Sequence, residues 1–356
     1  MRKLTHQDLL DLVDGAAIFS AGGGGDPDVG YTIANKLAKE GYAVELADPF
    51  EIPDDAVVVN FASVGATSTI EYDSDSAVKT LQVLEDYIGK KAYAVIPVEL
   101  GGFNTLAAVD VAARHRVPVV DADGAGRAVP EVHLKVYTID DISLTPMAVA
   151  DSQAKNVVIV KTTADFRSAE RIARILSAEW NQSAYTARRI LTGKQVKSSP
   201  VLHTLSRSIE IGVLLRKAVE PIEEIVRETG GFRLFDGRVS SVEKETKGGF
   251  TWITVSLEGF ETYRGSSCVL KVKNETLAAY RDGKLVAIAP DIITPAHHKT
   301  GKCITAEKIR KDDKLAILGF RAPEKWRTTK GLELWKDVLR HSGIDENYVP
   351  IERLAV

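Results

Sequence analysis

Residues 93–131 constrain the fold more than any other stretch of the chain. Tyr93 to Val98 and Pro118 to Val120 are short apolar runs, and each empties into acids and glycines. The first is followed by Glu99-Leu-Gly-Gly-Phe-Asn104, the second by Asp121-Ala-Asp-Gly-Ala-Gly-Arg-Ala-Val-Pro-Glu131. Thr105 to His115 between them reads as a helix, so the order is strand, loop, helix, strand, loop. In an open parallel sheet, ligands bind outside the carboxyl ends of the strands. Both loops are therefore expected at one sheet edge. Glu99, Asn104, Asp121, Asp123, Arg127 and Glu131 then come within reach of one ligand, with Gly101 and Gly102 letting the backbone approach closely.

The flanking sequence extends this pattern. Thr5 is placed to cap a helix over Gln7 to Phe19, which runs into Ser20-Ala-Gly-Gly-Gly-Gly-Asp-Pro-Asp28. A second helix is expected from Val29 to Glu40, stopped by Gly41. Short β-rich runs follow at Ala43 to Ala47 and Ala56 to Phe61, the latter opening into a small-residue loop, Ser63 to Thr69. A helix from Ser76 to Ile88 leads back to the strand before Glu99, and an apolar strand at Asn156 to Lys161 closes this half. The alternation predicts an α/β domain with a largely parallel sheet over residues 1–165. Helical patterns at Ser168 to Trp180 and about Pro200 to Ala218 then lead into a β-rich α+β domain, giving 166–356 as the second unit. Its strands are expected at Arg238 to Glu243, Phe250 to Leu257, Ser267 to Lys273, Thr276 to Tyr280, Leu285 to Ala289 and Lys314 to Leu318. Asp282-Gly283 is a hairpin signal.

Two domains suit a chain of 356 residues. A net charge of -3 argues against a protein that neutralises nucleic-acid phosphates. No apolar run of roughly 18 residues is present to span a membrane. The polar start and the two scattered cysteines, Cys268 and Cys303, fit a cytoplasmic setting.

Glu99, Asp121 and Asp123 offer the carboxylates that general-base chemistry or a hard divalent metal would use. Arg127 has the donor fork to orient an anionic or carbonyl group. Taken singly, each has a structural reading: a helix cap for either aspartate, an ion pair with Glu131 for Arg127. Glycine amides before a helix can hold an anion, which makes Gly24, Gly25 and Asp26 candidate ligand contacts. No Gly-Lys-Ser/Thr follows, and Asp26-Pro27 breaks the dinucleotide spacing, so no nucleotide is expected. The alternative there is a tight turn with Asp26 or Asp28 capping the next helix. Asn274 and Asp291 end apolar runs, and either line a cleft with the first domain or sit in β-turns. His133 could serve as ligand or base, and a divalent ion held by carboxylates with Asn104 stays open. Cys303 has no local partner that would make it a nucleophile.

The chain resembles a family long called domain of unknown function 917, associated with S-methyl thiohydantoin desulfurase and found beside hydantoinase or oxoprolinase subunits. The matching pieces are Gly22-Gly-Gly-Gly-Asp-Pro27, Glu99 to Asn104, Pro118 to Glu131, Ala148-Val-Ala-Asp151, Leu234-Phe-Asp-Gly237, Asn274-Glu275, Ala289-Pro-Asp-Ile-Ile293 and Tyr348-Val-Pro-Ile351. They run nearly the whole length. The resemblance implies two domains and attack of water on a cyclic isothiourea carbon, with methanethiol leaving and a hydantoin remaining. Under it, Glu99, Asp121 or Asp123 is the base, Arg127 the orienting group and Asn104 a hydrogen-bonding contact. Gly24, Gly25, Asp26, Gly101, Gly102, Glu131, Asn274 and Asp291 are the expected substrate contacts. The substrate's propionate needs a cationic partner that no motif marks. The alternative is a non-catalytic partner of a hydantoinase or oxoprolinase; a homo-oligomer is the default assembly. One departure stands out. The family tends to carry Pro-Gly-Thr where this chain has Leu202-His203-Thr204, so His203 would alter any pocket that segment borders.

Overall fold

The computed structural model describes residues 1–65, 72–181, 183–247 and 250–355; Ala66 to Thr69 of the expected small-residue loop lie outside them. Helix α1 (His6–Ile18) starts where expected. Thr5 Oγ1 accepts the Asp8 amide and the Asp8 carboxylate accepts the Thr5 amide, a reciprocal cap. Asp26 caps α2 (Pro27–Glu40), which ends at Gly41 with φ of 75°.

Strands of the first unit are β1 (Arg2–Leu4), β2 (Val44–Ala47), β3 (Val57–Gly65), β4 (Ala94–Pro97), β5 (Val119–Val120), the short β6 (Ala122–Asp123), β7 (Met147–Ala150), β8 (Val157–Val160) and β9 (Ser183–Thr192). Eight of them form one sheet in the order β1-β2-β5-β4-β3-β9-β7-β8. The β2-β5, β5-β4 and β4-β3 pairs are parallel, connected through α3 (Ser74–Ile88) and α4 (Asn104–His115). This is the expected α/β layer, with α4 buried against α2, α3 and the sheet by Leu106, Val109 and Val111. The sheet as a whole is mixed, because β9, β7 and β8 add antiparallel strands beside β3. Strand β9 was not expected, and it carries the first sheet past residue 165.

The short α5 (Val136–Ile139), α6 (Phe166–Glu179) and α7 (Gly193–Val196) lead to β10 (Val201–Leu202), which pairs with β6. Helix α8 (Thr204–Lys217) follows and packs on α1, so the helical run begins at Thr204 rather than Pro200. After α9 (Pro221–Thr229) come β11 (Phe232–Lys247), β12 (Phe250–Gly259), β13 (Ser267–Lys273), β14 (Glu275–Arg281), β15 (Lys284–Ile288), β16 (Ile292–His297) and β17 (Lys314–Phe320). They form an antiparallel sheet in the order β15-β14-β13-β12-β11-β17-β16. In β12, Thr251, Ile253, Val255 and Leu257 are buried and their neighbours are not, the two-residue period of a sheet with one core face. Asp282 and Gly283 both have positive φ, as the hairpin between β14 and β15 requires. Helices α10 (Thr329–His341) and α11 (Ile351–Leu354) complete the chain, with Trp326 and Trp335 buried edge to face at 5.8 Å. Among the described residues no helix is long and apolar enough to cross a membrane.

Candidate active site

The glycine run joins the two units. Gly24 O accepts the amides of Phe103 and Asn104 at the start of α4, at 3.3 and 3.0 Å. Ala21 O accepts the Thr276 amide of β14 at 2.9 Å, and Gly22 O the Ala306 amide at 2.8 Å. Such contacts need backbones closer than side chains allow. A Cβ on Gly24 would lie 2.5 Å from Gly101 Cα, and one on Gly23 would lie 2.3 Å from Glu275 Oε1. The loops thereby enclose a cavity of about 400 Å³.

Both units line it. The first supplies Gly22 to Asp26, Ser63, Glu99, Asn104, Val129 to Val132, Lys135, Arg174 and Arg188; the second supplies Lys244, Asn274, Glu275, Thr305, Glu307, Lys308 and Arg310. Glu99 sits at the end of β4. Its Oε1 accepts from Asn104 Nδ2 at 2.7 Å, and its Oε2 from Lys135 Nζ at 3.1 Å and the Val129 amide at 3.3 Å. Desolvation pulls the Lys135 ammonium below its usual range, partly countered by Glu99. Glu275 opens β14 beside Asn274, whose φ of 58° turns the chain there. Burial, reinforced by the charge of Glu99, pushes the Glu275 carboxyl well above the usual range, and Arg127 offsets this only in part.

Three buried polar atoms of these lining residues have no hydrogen-bond partner among the described residues: Asn104 Oδ1, Glu275 Oε2 and Arg188 Nη1. Buried polar groups are nearly always paired, so orphans around one cavity point to a ligand.

The acid loop divides. Of its expected site residues, only Glu131 lines the cavity, where it pairs with Lys273 and stands 3.4 Å from His133 Nδ1. The expectation that Asp121 and Asp123 share a ligand with Glu99 is corrected. Asp121 accepts the amides of Leu205 and Ser206 and the Ser206 hydroxyl, capping α8 from across the β6–β10 ladder. Asp123 is buried and folds back onto the Ala125 and Gly126 amides. Arg127 is likewise structural. Its guanidinium donates to the carbonyls of Ala128, Pro290 and Asp291 and lies 4.7 Å from the Trp335 ring centre. Asp291 also lies outside the cavity, accepting the Ala322 and Ile351 amides and the Tyr348 hydroxyl. Gly101 and Gly102 do not line the cavity; they permit the loop approach. Gly24, Gly25, Asp26, Asn104, Asn274 and Glu131 do line it, although Asp26 is engaged by the Asp28 amide and Lys308. His203 is half exposed, with Nδ1 3.6 Å from Asp121, away from the cavity.

Sequence reasoning missed Lys135, Arg174, Arg188 and Glu275 as site residues. The signal at 188–189 was two arginines inside the apolar run Ala184 to Leu191; that at 275 was an acid starting an apolar strand. The Cys303 thiol is pushed up to about 12, chiefly by desolvation, which suits no nucleophile. No group of three or more His, Cys, Asp or Glu side chains arranged to hold a metal ion occurs among the described residues.

Comparison with known proteins bears on the whole chain. Residues 7–162 match a family model described as S-Me-THD-like, N-terminal domain, and residues 163–351 match the S-Me-THD-like, C-terminal domain. An X-ray crystal structure of a protein from Chromobacterium violaceum aligns with a TM-score of 0.82 at 24% identity, covering 99% of this chain and 100% of that one. At that identity the likeness speaks to the fold alone. No curated protein matched the sequence.

Proposed function

The chain belongs to the S-Me-THD-like family, and from that premise we propose that it is a hydrolase of a small five-membered thiohydantoin-like ring, replacing an S-methyl group by water. The observation that carries this is a pair of carboxyl groups, one from each unit, facing one small cavity in unlike environments. Glu99 takes a charged donor and two neutral ones; Glu275 is buried with one oxygen unpartnered. Pairs of titratable groups held in contrasting surroundings supply a base and an acid at one pH.

The chemistry follows from that contrast. Glu275, kept protonated, gives its proton to the ring nitrogen of the C=N bond and makes the isothiourea carbon electrophilic. Water attacks that carbon while Glu99 accepts one of its protons. The tetrahedral carbon then carries hydroxyl and S-methyl groups. Its hydroxyl proton returns to Glu275, the carbon–sulfur bond breaks, and the proton on Glu99 leaves with methanethiolate as methanethiol. A ring carbonyl remains. Lys135, hydrogen-bonded to Glu99, balances its charge, and the Asn104 amide orients it.

The test is incubation with S-methyl thiohydantoin propionate, following methanethiol and hydantoin together. Glu99→Gln and Glu275→Gln are each expected to lower kcat by roughly 10²–10⁴-fold with the fold intact, the usual worth of one proton-transfer group. Wild-type protein that binds the ring without turning it over would instead favour an accessory role beside a hydantoinase.

A further inference from the structure

The wall of the cavity built by β3, β9 and α6 holds a buried cation, Arg188, with no ion pair among the described residues. Strand β9 pairs with β3 through a bulge: Val59 faces Ile190, Asn60 faces Arg188, and Arg189 is the extra residue, with φ of 48°. A bulge redirects side chains that a regular strand would place alternately. Its two arginines have opposite fates. Arg189 is fully engaged, donating to Ile142 O at 2.9 Å and Thr138 Oγ1 at 3.2 Å and lying over the Tyr137 ring. Arg188 is only 3% exposed and lines the cavity, yet its Nη1 has no hydrogen-bond partner among the described residues.

The acids nearest Arg188 are already committed. Glu170 accepts from Arg174 Nε at 2.9 Å and from the Val132 amide, while Glu99 holds Lys135 and Asn104. Burial, with the like charge of Arg174, works against the Arg188 cation, and the charges of Glu170 and Glu99 offset this only in part. An unpaired buried cation is costly to a folded protein. An anion entering the cavity would remove that cost. Asp26, Glu99, Glu131, Glu275 and Glu307 line the cavity beside its cations, which favours a single negative charge over the double charge of phosphate, and the volume suits a ring with a short arm.

We propose that Arg188 is the specificity-determining residue of this cavity, taking a carboxylate carried on a short arm of the substrate ring through its guanidinium, whose Nη1 is unpartnered among the described residues. The assignment rests on the proposed function only for the identity of that ring. Binding, rather than turnover, tests it. The full chain is titrated calorimetrically with hydantoin-5-propionate, with its primary amide and with inorganic phosphate. Wild type is expected to prefer the acid over the amide by roughly tenfold or more, the worth of one charge-assisted hydrogen bond. In Arg188→Met the preference should shrink to within about twofold, and in Arg188→Lys it should fall between. The Met variant should also melt no lower than wild type, since it removes a buried charge that its neighbours offset only in part.

Four results overturn the proposal: no acid binding, no acid preference in wild type, a preference that survives in Arg188→Met, or phosphate binding as tightly as the acid. Should the Met variant fail to fold, an undiminished preference in Arg188→Lys also overturns it. Failure of the hydrolase reading looks different: the acid preference depends on Arg188, but no methanethiol is released.

Discussion

Glu99 and Asp121 are both acids at the ends of neighbouring parallel strands, and only their partners tell them apart. Glu99 shares its oxygens with a lysine and an amide in the cavity; Asp121 spends both on the first turn of α8. That turn lies 84 residues further on, so nothing around Asp121 announces the cap. The edge of the sheet was legible, but not which acid faced the ligand. Asp121→Asn should therefore cost about 1 kcal/mol of stability, as lost caps do, while turnover per folded molecule stays near wild type. A melting curve beside an activity assay checks this, and lost turnover in a folded variant would return Asp121 to the site. Asp123 offers a pH signature. Desolvation pushes its carboxyl up to about 7 against the pull of the Ala125 and Gly126 amides. Unfolded, the group titrates at about 3.9, so the folded state binds more protons between those values. Stability should then fall as pH rises from about 4 to about 7 and level off above. In Asp123→Asn that decline should flatten, read from urea midpoints across the same window; an unchanged slope would remove Asp123 as its source.

Among the elements, the glycine run had two readings, a tight turn or a ligand contact. It is an interhelical turn with Asp26 as the next cap, and it also lines the cavity. What no local pattern expresses is that its carbonyls tie α4, β14 and the segment at Ala306 together. Gly24 and Gly41 separate this role from plain conformational freedom. Both have positive φ, but a Cβ at Gly41 would meet nothing within 4 Å, whereas one at Gly24 would strike Gly101. Gly41→Ala should cost about 1 kcal/mol for its backbone conformation, and Gly24→Ala clearly more, because the Glu99 loop must move. Denaturant midpoints decide the matter, with equal losses contradicting the close approach. Strand β9 escaped notice for a related reason. Its alternation is broken at Arg188-Arg189, and the bulge that breaks it is what leaves Arg188 at the cavity.

At the scale of the whole molecule, the cavity exists because two sheets of different kinds are fastened along one seam. The alternation of strands and helices announced the first, and the short strands with their turns announced the second. Which residues cross between them was not legible, since the partners lie far apart in sequence. Arg127 crosses the seam: a buried guanidinium from the first unit that donates to the carbonyls of Pro290 and Asp291 in the second and stands over Trp335. Thr294 adds a hydrogen bond to Ile18 O at 2.6 Å, and Lys273 pairs with Glu131. Fastened this way, the units should unfold together, with calorimetric and van't Hoff enthalpies agreeing. Arg127→Met would take its donors from those carbonyls and remove one of the positive charges that act on Glu275 and Asp291. A loss of roughly 3–5 kcal/mol is expected, as when one partner of a buried ionic network is removed. If the seam carries the cooperativity, the variant should also split into two transitions, the units melting apart. A single transition at the wild-type midpoint would show that Arg127 does not hold the seam, and would reopen its place as an orienting group for substrate.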